Sequence, residues 1–124
     1  MSKILLVEDD ANQALLYQAE LETEGYEVVV ATNGREAVEM VKDAQPDLVV
    51  MDISMPGMDG IQAALHLAAA PNPPAVIFVT AYDEHALAAF EANAIDYLLK
   101  PVRPERLRRA LDRKSTRLNS SHRL

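Results

Sequence analysis

The sequence predicts a doubly wound α/β domain, a five-stranded parallel sheet with five helices distributed over its two faces. Three observations predict it. Short apolar runs rich in Val, Ile and Leu alternate five times with segments of helical period, which is the pattern of βα units around a parallel sheet. Four of the five runs are nearly continuous in apolar residues, as strands covered on both faces are. The chain has 124 residues, 49% of them hydrophobic, enough for one domain that buries about two thirds of the surface its unfolded form exposes.

Each element has its own local reason. The first strand, Lys3 to Val7, is the run Ile4-Leu5-Leu6-Val7, and the first helix, Asn12 to Glu24, stops at Gly25. The second strand is Tyr26 to Ala31. Asn33, with Glu36 three residues later, resembles a capping box that opens the second helix, Arg35 to Asp43. The third strand is Leu48 to Met51 and the third helix Ile61 to Ala69. Pro71, Pro73 and Pro74 crowd the loop before the fourth strand, Ala75 to Val79, and make it stiff and non-helical. The fourth helix is Glu84 to Ala92 and the fifth strand Ile95 to Leu99. Pro104 suits the first turn of the fifth helix, Pro104 to Leu111, where a missing N–H costs nothing. Tyr17, Met40 and Phe90 read as helix packing, and His66 and His85 as surface or boundary residues.

Composition narrows the chemistry. With no Cys there is no disulfide and no thiolate-metal site. The longest apolar runs are strand-length, far below the roughly 20 residues of a membrane span. The N-terminus carries one Lys and runs directly into the first strand and three acids, unlike a secretory leader, so the chain reads as cytoplasmic. The net charge of −7 divides unevenly: residues 1–99 hold 3 basic and 17 acidic side chains, residues 100–124 hold 9 basic and 2 acidic. Such an acidic body argues against a broad nucleic-acid footprint, which would be basic.

In a doubly wound sheet, ligands bind beyond the carboxyl ends of the strands. Here those ends carry Glu8-Asp9-Asp10, then Asp52, Thr80 and Lys100-Pro101. Converging carboxylates repel unless a cation sits among them, and oxygen ligands without His or Cys favour Mg²⁺, which keeps positions open for phosphate oxygens. Asp52 beside such an ion can attack a phosphoryl group and form an acyl phosphate. Mg²⁺, the Lys100 ammonium, the Thr80 hydroxyl and backbone N–H groups of residues 52–60 could share the transferring oxygens. Taken singly, each residue also has an ordinary reading: acids after a strand as turn or helix N-terminal residues, Thr80 as a turn residue, Lys100 as solvated. Their joint occurrence, in this order at these strand ends, favours phosphoryl chemistry.

These segments resemble the receiver domain of bacterial two-component response regulators, over residues 1–111. They are Ile4-Leu5-Leu6-Val7-Glu8-Asp9-Asp10, Asp47 through Gly60 with Met51-Asp52-Ile53-Ser54-Met55-Pro56-Gly57 at its centre, Val79-Thr80-Ala81, and Tyr97-Leu98-Leu99-Lys100-Pro101. The resemblance implies a flavodoxin-like fold with strand order 2-1-3-4-5. It implies that Asp52 accepts a phosphoryl group from a histidine kinase, that Asp9 binds Mg²⁺ directly, that Glu8 assists through water, and that Ser54 lends its backbone carbonyl. It also implies that Thr80 and Lys100 bind phosphoryl oxygens, that Tyr97 is an aromatic switch, and that Lys100-Pro101 is a cis peptide. Glu8 in place of Asp is a common variant of the acidic pair.

The second half, Phe78 to Leu87 and Ala89 to Pro101, is similar to receivers of the LytTR class, while the first 60 residues look more like stand-alone or other-class receivers. A chain joined from two sources near Met55 to Gly60 would account for that difference. LytTR regulators contact DNA through a C-terminal output domain that lies outside this sequence. Residues 112–124 resemble the translation of a sequencing-library adapter and read as a non-native tail, against the rival readings of a basic nucleic-acid arm or a linker. The resemblance implies a switch face of the fourth helix, fifth strand and fifth helix. Its mixed charges, Glu84, Glu91 and Asp96 against Arg103, Arg106 and Arg108, suit a homodimer about a two-fold axis, or simply a solvated surface.

Three other functions compete. A phosphohydrolase of the haloacid-dehalogenase type needs a second Asp two residues after its nucleophile, where this chain has Ser54, so the chain reads as a phosphoryl acceptor rather than an enzyme. A nucleotide switch needs a Walker pattern that the four glycines do not form. A phosphorylation-independent interaction module is the remaining alternative.

Overall fold

The parallel sheet predicted from the alternation is present, in the order β2-β1-β3-β4-β5. A computed structural model describes residues 3–52, 60–70, 73–80, 96–99, 105–106 and 109–112, and for Ile61, Thr80, Asp96, Tyr97 and Leu99 the backbone alone. The elements are β1 (Lys3–Val7), α1 (Ala11–Thr23), β2 (Glu27–Ala31), α2 (Gly34–Ala44), β3 (Leu48–Asp52), α3 (Gly60–Ala68), β4 (Ala75–Thr80) and β5 (Asp96–Leu99). β1 pairs with β2 on one side and β3 on the other, so the strand order reverses at β1 and opens a crevice at its carboxyl end.

Alternation along the strands sorts the core into two layers. Leu5, Val7, Val49, Met51, Val76 and Phe78 are packed with Ala37 of α2 and with Ala63, Ala64 and Leu67 of α3. Their sequence neighbours Ile4, Leu6, Leu48, Val50, Ile77 and Val79, joined by Leu98, are packed with Ala14 and Leu21 of α1 and with Ala110 and Leu111. Both faces are therefore covered, which is why β1 and β3 read as unbroken apolar runs. Each fully buried large aliphatic contributes about 1.5–3 kcal/mol against leaving it in water. Tyr17 and Met40 pack against these layers and His66 is exposed, as the sequence suggests.

The differences from expectation are local. α1 begins at Ala11 because Asp10 caps it, its carboxylate accepting from the N–H groups of Asn12 and Gln13. β2 begins at Glu27, since the Tyr26 N–H donates to the Leu21 carbonyl at 3.2 Å. β3 and β4 each run one residue further than expected, to Asp52 and Thr80. The capping box of α2 is displaced by one residue. Asn33 Oδ1 accepts from the Glu36 N–H at 2.8 Å, but the Glu36 carboxylate reaches back to the N–H and hydroxyl of Thr32, each at 3.2 Å. Gly25 takes a φ of +95°, the left-handed conformation that ends α1. The predicted fourth helix, with His85 and Phe90, lies outside the described residues, as do Pro71, Pro104 and Leu107. Of the predicted fifth helix, 105–106 and 109–111 are described and helical, and the helical residues run one further, to Asp112.

Candidate functional site

The strand ends at the β1/β3 crevice are level with one another. Val7 pairs with Met51, Asp52 with Val79, and Thr80 with Leu99. Glu8 therefore leaves β1 where Asp52 ends β3, and the acids that the sequence spaces 43 and 44 positions apart meet across one strand pair. The Glu8 N–H donates to the Ala31 carbonyl at 3.0 Å, so the neighbouring strand β2 anchors the turn from its side.

One carboxylate oxygen each from Glu8, Asp9 and Asp52 lies within 4.8 Å of the others. Glu8 is 2% exposed and Asp52 5%, whereas Asp9 is open to solvent. At this separation and an effective dielectric of about 20, two like charges repel by about 3.5 kcal/mol. An arrangement that tolerates this in a fold of ordinary marginal stability is suited to a cation. The donor set contains oxygen alone, without imidazole or thiolate, which fits a hard divalent ion such as Mg²⁺. Two buried carboxylates and one open to solvent leave access from outside for phosphate oxygens.

Of the residues singled out in the sequence, Glu8, Asp9 and Asp52 are brought together. Thr80 ends β4 one register step beyond Asp52, and Tyr97 lies on β5 paired with Phe78; for both, the backbone alone is described. Ser54, Lys100 and Pro101 lie outside the described residues. Asp10 does not join the cluster. Its Oδ1 is 2.9 Å from the Asn12 nitrogen and 3.2 Å from that of Gln13, while its own N–H donates to Glu8 Oε2 at 3.4 Å. Sequence reasoning missed this role, although an Asp directly before a helical segment is itself a capping signal.

The chain is similar to known proteins in sequence and in fold. The family described as the response regulator receiver domain matches residues 4–112. The positive alginate biosynthesis regulatory protein of Pseudomonas aeruginosa is 46% identical over 115 residues, covering 90% of this chain and 46% of that protein. The sensory transduction protein LytT of Bacillus subtilis is 37% identical over 113 residues, covering 90% and 47%. Both alignments cross Met55 to Gly60, so relatives of the class that the second half resembles extend through the first half as well. The chain spans about half the length of these curated relatives. Among solved structures, a chemotaxis response regulator of Vibrio cholerae superposes with a TM-score of 0.85 at 28% identity, covering 92% of this chain and 98% of that one. A response regulator receiver domain protein from Clostridium thermocellum gives 0.88 at 26% identity, covering 96% and 98%. The fold, the acidic crevice and these matches agree: the chain belongs to the response regulator receiver domain family of two-component signalling.

Proposed function

We propose that this chain accepts a phosphoryl group on Asp52 from the phosphohistidine of a histidine kinase. The observation that carries the reading is the buried Asp52 carboxylate at the end of the central strand, with oxygens of Glu8 and Asp9 within 4.8 Å. An Asp52 oxygen attacks phosphorus as the bond to the donor's imidazole nitrogen breaks, and the electron pair of that bond returns to the ring. The Mg²⁺ that Glu8, Asp9 and Asp52 would hold, with the backbone carbonyl of Ser54, supplies charge neutralisation for the phosphoryl oxygens. In this reading Asp9 would hold the ion directly and Glu8 through water. The Thr80 hydroxyl and the Lys100 ammonium bind the oxygens that face away from the acids. As Thr80 moves toward the new charge, Tyr97 turns inward and resets the surface of the predicted fourth helix, β5 and the predicted fifth helix.

The same reading assigns the partners. Leu15 and Leu16, 65% and 66% exposed on α1, offer apolar contact area to the kinase. The switch face pairs with a second copy, and DNA is reached only through an output domain in a longer protein. Phosphorylated Asp52 loses its group slowly by hydrolysis, without the turnover of a phosphatase. The domain is residues 1–111, with 112–124 a non-native tail, and it works in the cytoplasm. Among the described residues, no helix is long and apolar enough to cross a membrane.

Intact mass spectrometry after incubation with acetyl phosphate tests the proposal. A gain of one phosphoryl group that requires Mg²⁺, vanishes with EDTA and is absent from Asp52→Asn is the expected result. No gain in folded protein, or an equal gain in the Asn variant, overturns it.

A further inference from the structure

We infer that Asp10 is a positioning residue: by capping α1 it fixes a backbone N–H that helps to orient the Glu8 carboxylate in the acidic cluster. The inference rests on the reading of Glu8, Asp9 and Asp52 as an Mg²⁺ site.

Three acids follow β1, and two of them enter the cluster. The third has extended backbone, with φ −88° and ψ 113°, and three hydrogen bonds tie it to the helix. Oδ1 accepts from Asn12 and Gln13, at 2.9 and 3.2 Å, and the Asp10 carbonyl accepts from the Ala14 N–H at 2.9 Å. With its side chain and carbonyl both held, the Asp10 residue has little freedom to turn. Its remaining polar group, the N–H, points back to Glu8 Oε2 at 3.4 Å. That distance is longer than the roughly 2.7–3.2 Å usual for an N–H···O bond, so the contact is weak and a small movement of the residue removes it.

Glu8 needs such a hold more than an Asp would. Its longer side chain has one more torsion to freeze, and its carboxylate is buried beside that of Asp52. A donor on the N-terminal turn of α1 orients it and places the helix's positive end nearby. Asp10 thus acts on the ion through Glu8, while its own carboxylate is spent on the cap. Groups that orient ligands in this way typically change metal affinity by 10- to 100-fold when lost.

The test is Mg²⁺ binding by calorimetry, with urea unfolding in EDTA as a separate readout, on the natural chain, Asp10→Ala and Asp10→Asn. Asn caps a helix as well as Asp but carries no charge. We expect Asp10→Ala to bind Mg²⁺ about 10-fold more weakly. Asp10→Asn should stay within about threefold of the natural chain, because the lost charge is exposed and screened. Equal weakening in both variants would show that Asp10 acts by charge, and unchanged affinity in Asp10→Ala that the cap is only structural; either result overturns the inference. If the alanine variant does not fold, Asp10→Gly takes its place: it removes the same carboxylate at a smaller cost to the helix, so weaker Mg²⁺ binding than in the natural chain is expected and unchanged affinity overturns the inference. A natural chain that binds no Mg²⁺ overturns the metal reading itself, before any variant is compared.

Discussion

Replacing Asp52 with Asn should make the metal-free protein more stable, against the usual direction for a substitution in a buried site. The Asn side chain has nearly the same shape, so packing at the end of β3 is kept while one charge is removed. Asp52 and Glu8 are both almost fully buried, with oxygens within 4.8 Å, and at an effective dielectric of about 20 their repulsion is about 3.5 kcal/mol. Asp9 is exposed, and through water its share is below about 1 kcal/mol. Both buried acids are engaged by further groups, and the loss of those contacts offsets part of the gain. A net stabilisation of about 1–3 kcal/mol remains, which is a rise of about 1 M in the urea midpoint for a domain of this size. Urea unfolding in EDTA and again in saturating Mg²⁺ measures both sides of the argument. The natural chain should gain about 2.7 kcal/mol at 100 times its dissociation constant, and Asp52→Asn much less, so the gap closes or inverts. An Asn variant that is less stable in EDTA and gains as much from Mg²⁺ would refute the electrostatic account of the site.

Other expectations follow from the frame around the site. Gln45 ends α2 with φ 46°, a left-handed conformation costly for a residue with a Cβ, so Gln45→Gly should stabilise by about 1 kcal/mol in urea unfolding. At Gly25, with φ +95° and open space where a Cβ would sit, Gly25→Ala should destabilise by about 1 kcal/mol through backbone strain alone. Leu21, fully buried between α1 and the sheet, should cost about 2–5 kcal/mol on replacement by Ala. Burial, then the charges of Asp112 and Glu24, raise the Tyr26 hydroxyl above its ordinary value of 10.0. The folded state therefore keeps that proton where the unfolded chain has lost it. Stability should fall as pH rises above about 10, and Tyr26→Phe should flatten the fall in alkaline urea titrations.

Much of the fold was legible because its signals are local. Val-, Ile- and Leu-rich runs of strand length and the stop at Gly25 depend on neighbours a few residues away, and all five strands lie within one residue of where the pattern puts them at either end. Where reading erred, a competing hydrogen bond was responsible. Tyr26 gives its N–H to Leu21 rather than to the ladder, and Glu36 bonds Thr32 rather than Asn33. The acids of the site were legible as residues, since charges after apolar strands stand out. Which of the three after β1 would cap the helix was not read, because a carboxylate in a turn suits a cap and a cation equally well.

Sequence by itself determined the five strands, the first three helices, the acidic strand ends and the family resemblance, since each is carried by residue type and spacing. Tertiary structure alone decided that Glu8 and Asp52 would meet. Their approach follows from β1 and β3 pairing in a register that sets Val7 beside Met51, a choice enforced by two core layers that no short stretch of chain contains. It also decided the division of labour among adjacent acids. Glu8 and Asp9 face a buried Asp52 because the crevice exists only once the sheet has formed, while Asp10 turns to the first turn of α1, its own near neighbours in the chain.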